Sequence, residues 1–151
     1  MKTSAGILLY RLNKKNVEVL LVHPGGPFWK NKDEGAWSIP KGEYAEDEDA
    51  LKAAIREFKE ETGISVSGDF IPLNTVKLKS GKYVKAWALE KDVDAGSIKS
   101  NTFSLEWPPK SGKKIEVPEV DKAEWFDLKK AKEKINAGQV PLLEELSVKL
   151  G

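Results

Sequence analysis

The sequence has no cysteine, a single histidine (His23) and a single methionine among its 151 residues. The absence of cysteine excludes disulfide scaffolds, thiolate nucleophiles and zinc–thiolate sites, and one histidine is too few for a multi-histidine metal site. Any bound metal ion is therefore expected to have oxygen ligands.

An excess of charge of one sign is also absent, since 25 basic residues stand against 24 acidic ones and the net charge is +1. Such a chain has no long-range field that would draw it to a nucleic-acid polymer or an anionic membrane. No run of about 18 apolar residues and no signal-type segment is present. We therefore expect a cytoplasmic protein that binds neither, with one domain over residues 1–151.

Hydrophobic periodicity and turn residues predict a mixed α/β chain. The strands are expected at residues 5–12, 17–23, 37–39, 66–79, 82–89, 102–107, 115–117 and 123–128. The helices are expected at residues 47–62, 129–136 and 141–150, with Gly138 separating the last two.

The helix predicted at residues 47–62 carries a cluster of carboxylates. One face is apolar at the i, i+3, i+4, i+7 spacing, and Gly63 stands where a helix-ending glycine belongs. At 100° per residue, Glu57, Glu60 and Glu61 fall within an arc of about 100° beside that face. The members of the apolar face are Leu51, Ala54, Ile55 and Phe58.

Like charges at these spacings destabilise a helix, so the cluster is expected to be offset by a cation. At least three hard oxygen ligands without competing His or Cys select Mg²⁺ or, alternatively, Mn²⁺. Because Mg²⁺ commonly joins protein carboxylates to substrate phosphates, the cluster points to metal-assisted attack of water on a phosphoanhydride. A solvated, glutamate-rich helix face is the plainer interpretation of these residues taken alone.

The wider spacing favours the metal site. Five residues separate Gly42 from Glu48, seven more precede Arg56–Glu57, and Glu60–Glu61 and Gly63 follow at fixed intervals. Seven such identities at about one in ten each, over about 130 starting positions, have a chance frequency on the order of one in 10⁵. The pattern is that of the Nudix box, and the chain resembles the Nudix hydrolase family.

The resemblance implies an α/β/α sandwich with a mixed β-sheet and a loop–helix–loop that binds divalent metal. It implies that Glu57, Glu60 and Glu61 are metal ligands, together with the backbone carbonyl of Gly42. It also implies that Arg56 orients these glutamates, with Glu48 as its structural partner.

Family members often add a glutamate from a loop before the last strand, as a metal ligand or general base. Glu119 is the first choice for this residue and Glu116 the second. Glu57 competes with Glu119 as the base that accepts a proton from the attacking water.

Further candidates for substrate contact lie near the box. Lys41 precedes Gly42 and is able to reach a phosphate, while Trp29 and Trp37 are able to stack on a nucleobase. His23, which ends a predicted strand, is expected to serve packing or a loop hydrogen bond rather than catalysis.

The resulting hypothesis is a Mg²⁺-dependent hydrolase of a nucleoside diphosphate linked to another moiety. Residues 37–43 resemble the lead-in of diadenosine polyphosphate hydrolases and of members that act on oxidised nucleoside triphosphates, and we place dinucleoside polyphosphates slightly ahead. Two alternatives stay open: a non-catalytic Nudix-fold module that senses a nucleotide or protein, and a hydrolase of non-nucleotide pyrophosphates, for which the lysines of residues 110–114 are an argument. A homodimer stays open as well.

Overall fold

A computed structural model describes residues 2–151. Within these residues there are nine strands and three α-helices, and seven of the strands form a mixed sheet. The strands are β1 (Thr3–Asn13), β2 (Asn16–Pro24), β3 (Lys41–Glu43), β4 (Ile71–Pro72), β5 (Val76–Lys77), β6 (Tyr83–Glu90), β7 (Thr102–Glu106), β8 (Lys114–Pro118) and β9 (Val120–Asp127). The helices are α1 (Ala50–Thr62), α2 (Leu128–Lys134) and α3 (Val140–Leu150), with one 3₁₀ turn at Ala95–Ser97 and another at Ala137–Gln139.

The central strand is β1, which pairs in parallel with β6 and antiparallel with β2 and β3. The sheet runs in the order β4–β6–β1–β2–β9, with β5 also paired to β6. Strands β7 and β8 form a separate two-stranded sheet. Because one pairing is parallel and the others are antiparallel, the sheet is mixed, as predicted.

The two faces of the sheet bury two separate hydrophobic clusters. Successive side chains of a strand point to opposite faces, so β1 contributes to both. Leu8 and Tyr10 pack with α2 and α3, whereas Ile7 and Leu9 pack with α1. Helices therefore cover both faces, which is the α/β/α sandwich that the family resemblance implied.

Several predicted elements are confirmed with small shifts at their ends. The hairpin β1–β2, the hairpin β7–β8, the last strand β9 and the two C-terminal helices all form where the sequence places them. For the two hairpins and the two helices, local apolar periodicity and turn residues are sufficient because their hydrogen bonds join residues close in sequence. Strand β9 instead pairs with the distant β2, and its apolar pattern alone located it.

The predicted strand at residues 66–79 is wrong. Only the two short strands β4 and β5 form within it. Gly68 adopts a positive φ of 137°, and Pro72 has no N–H to donate. These two residues interrupt the run, which apolar composition alone did not show.

Residues 37–39 also differ from the prediction, since they form isolated bridges rather than a strand. Ser38 bridges to Val22, and Trp37 bridges to Ile135. The strand that forms in this part of the chain is β3, which begins at Lys41. Its Gly42 pairs with Ala5 of β1.

Helix α1 begins at Ala50 rather than at residue 47. Asp49 is the N-cap, and its carboxylate accepts a hydrogen bond of 2.9 Å from the amide of Lys52. Asp47 and Glu48 therefore precede the helix, and the predicted start at residue 47 is wrong.

Candidate active site around helix α1

Helix α1 is fixed at both ends, and this sets the direction of its carboxylates. Ala53, Ala54 and Phe58 are fully buried against the sheet. Gly63 ends the helix in the left-handed conformation with a φ of 78°, which glycine adopts without strain. With that face packed, Glu57 lies at the border of the core and is 8% exposed.

The carboxylate of Glu57 lies directly against the backbone of Gly42 in β3. A Cβ atom at position 42 would overlap that carboxylate, so only glycine permits this approach. The pairing of β3 with β1 holds Gly42 in place. Glycine at position 42 therefore lets the Glu57 carboxylate lie against β3, in addition to offering its own carbonyl oxygen, and a larger residue would displace that carboxylate.

Arg56 connects three glutamates. Its Nε and Nη2 atoms donate to both carboxylate oxygens of Glu48 at 3.0–3.1 Å. Its Nη1 atom donates to Oε1 of Glu57 at 2.8 Å and to Oε1 of Glu60 at 3.3 Å. The pairing of Arg56 with Glu48 that the family resemblance implied is thus present, and the guanidinium offsets part of the negative charge of the cluster.

Glu61 faces a small cavity of about 140 Å³ beside Lys41 and Glu119. Its Oε1 atom accepts a hydrogen bond of 3.3 Å from the amide of Lys41. Burial raises the pKa of Glu61 to about 8, with further contributions from the charges of Glu119 and Glu57. Burial also lowers the pKa of the Lys41 ammonium group.

Glu119 lies in the connection between β8 and β9, and its backbone is held on both sides. Its amide donates to the carbonyl of Asn101 at 2.9 Å, and its carbonyl accepts from the amide of Gly25 at 3.0 Å. Burial and then the charge of Glu60 raise the pKa of the Glu119 carboxyl group. Glu119 therefore lines the cavity together with Glu61 and lies close enough to Glu60 to be affected by its charge.

Glu116, the second choice for the loop glutamate, occupies a different place. It lies on β8 within the separate hairpin, where its carboxylate accepts a hydrogen bond of 3.1 Å from the hydroxyl of Thr102. It does not line the cavity that Glu61 and Glu119 share. Of the two candidates, only Glu119 lies beside the cluster.

Trp37 lies in the core, which removes it from the set of candidate substrate contacts. It is 1% exposed, its Nε1 atom donates to Asp33 at 2.8 Å, and its ring packs edge-to-face on Phe126 at 5.1 Å. A ring whose faces are covered by protein has no surface for a nucleobase. The prediction of a substrate contact is corrected here to a packing role.

Trp29 remains near solvent in the loop after β2. It is partly buried and packs edge-to-face on Phe28, which is 58% exposed. The ammonium group of Lys32 lies 4.0 Å from the centre of the Phe28 ring. The loop after β2 therefore has aromatic rings that are accessible for stacking on a nucleobase, whereas the ring of Trp37 is buried.

His23 is buried and has hydrogen-bonding partners on both ring nitrogens. Nδ1 lies 2.9 Å from a carboxylate oxygen of Asp121, and Nε2 lies 2.6 Å from the carbonyl oxygen of Lys32. These contacts tie the loop after β2 to the start of β9, so the expected packing and loop-bonding role is confirmed.

The donor set fits a divalent cation. Glu57, Glu60 and Glu61 carry the charge, Gly42 adds a carbonyl oxygen, and Glu119 lies across the cavity. Mutual repulsion contributes to the raised pKa of Glu57, of Glu61 and of Glu119, which is a cost that a cation would relieve. Among residues 2–151, no three Asp, Glu or His side chains are already arranged as a metal-binding set. Oxygens of Glu57, Glu60 and Glu61 accept hydrogen bonds from Arg56 and from the Lys41 amide.

A second cavity, of about 480 Å³, lies at the C-terminal end of α1. Sequence reasoning did not identify it. Its wall combines the end of the helix with residues almost 40 positions later, and no local pattern signals that contact. The lining residues are Arg56, Lys59, Glu60, Gly63, Lys99 and Asn101.

No helix within residues 2–151 combines the length and the apolar character needed to cross a bilayer.

Comparison with known proteins identifies the family. The NUDIX domain model matches residues 1–146, and the chain therefore belongs to the Nudix hydrolase family. The chain is 30% identical to Nudix hydrolase 7 of Arabidopsis thaliana over 113 residues, which cover 70% of this chain and 38% of that protein. It is 43% identical to Nudix hydrolase 6 of the same plant over 60 residues, or 39% of this chain and 20% of that protein. The matches thus span less than two fifths of either relative.

Solved structures confirm the fold. An Ap4A hydrolase from C. elegans, solved as a binary complex, superposes with a TM-score of 0.68 at 25% identity over 97% of both chains. The NUDIX domain of NrtR from Shewanella oneidensis, complexed with ADP ribose, gives a TM-score of 0.67 at 18% identity over 99% of this chain and 88% of that one.

Proposed function

We propose that the protein is a Mg²⁺-dependent hydrolase of a nucleoside diphosphate linked to another moiety, with dinucleoside polyphosphates as the first candidate substrates and Mn²⁺ as an alternative ion. The observation that carries the proposal is the convergence of the α1 glutamates with Glu119. Glu61 and Glu119 line one cavity, the charge of Glu57 acts on Glu61, and the charge of Glu60 acts on Glu119. Four carboxylates at the border of a core are costly without a cation, and a divalent ion together with a phosphoanhydride accounts for them.

In the proposed site, Glu57, Glu60, Glu61 and the carbonyl of Gly42 hold the metal, with Glu119 as a further ligand or as the base. The bound ion would neutralise charge on the pyrophosphate oxygens and make a water molecule more acidic. Arg56 positions Glu57 and Glu60 through its hydrogen bonds.

Proton removal from the attacking water is assigned to Glu119, with Glu57 as the competing candidate. A raised pKa makes a carboxylate a stronger base near neutral pH, and both groups have one. The water then attacks phosphorus, the P–O bond of the anhydride breaks, and two phosphate-bearing products leave.

Substrate contacts are assigned to two residues beside the cluster. Lys41 lines the cavity together with Glu61, so its ammonium group is able to approach a phosphate oxygen. Trp29 offers a ring near solvent for a nucleobase. The dinucleoside polyphosphate is favoured because the structurally similar C. elegans protein is an Ap4A hydrolase.

The test is product release across a panel of substrates in Mg²⁺. The panel holds a dinucleoside tetraphosphate, a nucleoside-diphosphate sugar, an oxidised nucleoside triphosphate and an inositol pyrophosphate. We compare the wild type with Glu60→Gln and Glu61→Gln, and with the matched control Glu46→Gln, which removes an exposed carboxylate outside the cluster.

We expect loss of turnover by at least about a hundredfold in the two cluster variants and none in the control. Folded cluster variants that retain full activity would refute the metal-site assignment. Nucleotide binding without turnover on any substrate would favour the sensor module instead.

A further inference from the structure

The cavity at the C-terminal end of α1 is separate from the one that Glu61 and Glu119 line. Glu60 lies on its border, so it adjoins the proposed metal cluster directly. A substrate whose pyrophosphate lies at the glutamates would extend from one cavity towards the other.

Two lysines of this cavity are available to a ligand. Lys59 and Lys99 are both exposed, and neither forms an ion pair with any residue from 2 to 151. Arg56, by contrast, is shared among Glu48, Glu57 and Glu60. The side-chain amide of Asn101 has no hydrogen-bonding partner within the same residues and can donate to an anion.

The end of a helix normally disfavours anions, because its last carbonyl groups are unsatisfied and carry partial negative charge. Here three of the last four are occupied. The carbonyl of Lys59 accepts from Gly63 at 2.7 Å, that of Glu60 from Asn101 at 2.7 Å, and that of Thr62 from Lys99 at 3.0 Å. The usual obstacle to a phosphate at this position is thus reduced.

The same hydrogen bonds hold the wall of this cavity in a fixed position relative to α1. Residues 99–101 are bonded to the end of α1, and the carbonyl of Asn101 also accepts the amide of Glu119 at 2.9 Å. A Cβ atom at Gly63 would approach the carbonyl oxygen of Lys99 to 2.8 Å, so glycine is needed for this close packing. Lys99 and Asn101 are therefore positioned relative to the catalytic cluster by backbone contacts.

We infer that this cavity is a subsite for the phosphates that extend beyond the cleaved bond, with Lys59, Lys99 and Asn101 as its ligands. The inference rests on the proposed function and narrows its substrate class. It favours compounds with a long phosphate chain over nucleoside-diphosphate sugars, which present a neutral sugar where such a chain would continue. A volume of about 480 Å³ accommodates one or more phosphate groups.

The test compares KM values in Mg²⁺ for a dinucleoside tetraphosphate and for ADP-ribose. The variants are Lys59→Gln, Lys99→Gln and the double variant. Lys129→Gln is the matched control, because it removes one exposed positive charge from α2 on the opposite face of the sheet.

The attraction between a lysine ammonium group and a phosphate about 7 Å apart depends on the dielectric constant between them. At an effective value between those of the protein interior and water, removal of the lysine charge weakens phosphate binding roughly fivefold. We expect the double variant to raise KM for the tetraphosphate roughly twentyfold, to change KM for ADP-ribose less than about twofold, and to leave kcat unchanged. Equal effects on both substrates, or an equal effect of Lys129→Gln, would overturn the inference.

A second measurement separates this inference from the proposed function. Binding of inorganic tripolyphosphate to the wild type and the double variant is measured by calorimetry in Mg²⁺. Binding that the double variant loses supports the subsite even if no substrate is hydrolysed. If tripolyphosphate does not bind to the wild type, or binds equally to the wild type and the double variant, the phosphate subsite is overturned even if hydrolysis is found.

Discussion

In the proposed site, the raised pKa of Glu61 would make metal binding depend on pH. With a pKa of about 8, about a tenth of this carboxyl group is ionised at pH 7 and about half at pH 8. A metal ion needs the ionised form, so it must displace a proton. We expect the apparent affinity for Mn²⁺ to rise about fivefold between pH 7 and pH 8 because of Glu61 alone.

Calorimetry in two buffers of different ionisation enthalpy measures this coupling. At pH 7 the wild type should release about 0.9 protons from Glu61 for each ion bound. Glu61→Gln should bind the ion more weakly and should lose that fraction of the proton release, while Glu46→Gln should behave as the wild type.

The same residue predicts the pH dependence of stability in the metal-free protein. A carboxyl group with a raised folded-state pKa contributes stability that is complete below its unfolded pKa and is lost as the pH rises through about 8. A shift from 4.5 to about 8 corresponds to about 5 kcal/mol, which solvent at the mouth of the cavity reduces. Glu61→Gln should therefore be more stable than the wild type at pH 9 and close to it at pH 4.

Chemical denaturation without metal at the two pH values checks this sign. A Glu61→Gln variant that is less stable than the wild type at pH 9, together with proton release identical in the two proteins, would refute the reasoning. That result would mean that Glu61 is already ionised and satisfied in the metal-free protein.

Three other substitutions test separate parts of the site. Gly42→Ala should weaken Mn²⁺ binding at least about tenfold, measured by calorimetry, because the added Cβ displaces the carboxylate of Glu57; unchanged affinity would contradict this. Glu48→Gln should lower kcat while changing the unfolding free energy by no more than about 1 kcal/mol, since the ion pair with Arg56 is partly exposed; a loss of stability without an effect on kcat would assign it a structural role only. Trp37→Ala should lower the unfolding free energy by about 3–5 kcal/mol, whereas Trp37→Phe should keep KM at the wild-type value; a raised KM in the folded Phe variant would restore Trp37 to the substrate site.

The parts of the site that lie on one helix could be predicted from the sequence. Glu57, Glu60 and Glu61 share a stripe because helical geometry relates residues three and four apart, whatever the rest of the fold does. The pairing of Arg56 with Glu48 followed from the spacing of the family motif and is present in the structure.

The parts that depend on distant segments could not be predicted from local pattern. Trp37 lies in a predicted strand and Trp29 lies outside any predicted element, but neither assignment shows that Trp37 bridges to Ile135 and is buried while Trp29 lies near solvent. The contact of Lys99 and Asn101 with the end of α1 is likewise a long-range one. Such contacts depend on how the chain returns to the helix, which periodicity does not encode.

The near balance of charge in the sequence has a structural counterpart in the site. Without a metal ion, the oxygens proposed as ligands are held by the protein's own donors: Arg56 binds Glu57 and Glu60, and the Lys41 amide binds Glu61. These bonds offset part of the repulsion among the glutamates. An incoming ion must compete with them as well as with protons on Glu57, Glu61 and Glu119, whose pKa values are all raised. Because the guanidinium stays charged at any pH relevant to folding, these protons, and not Arg56, make that competition depend on pH.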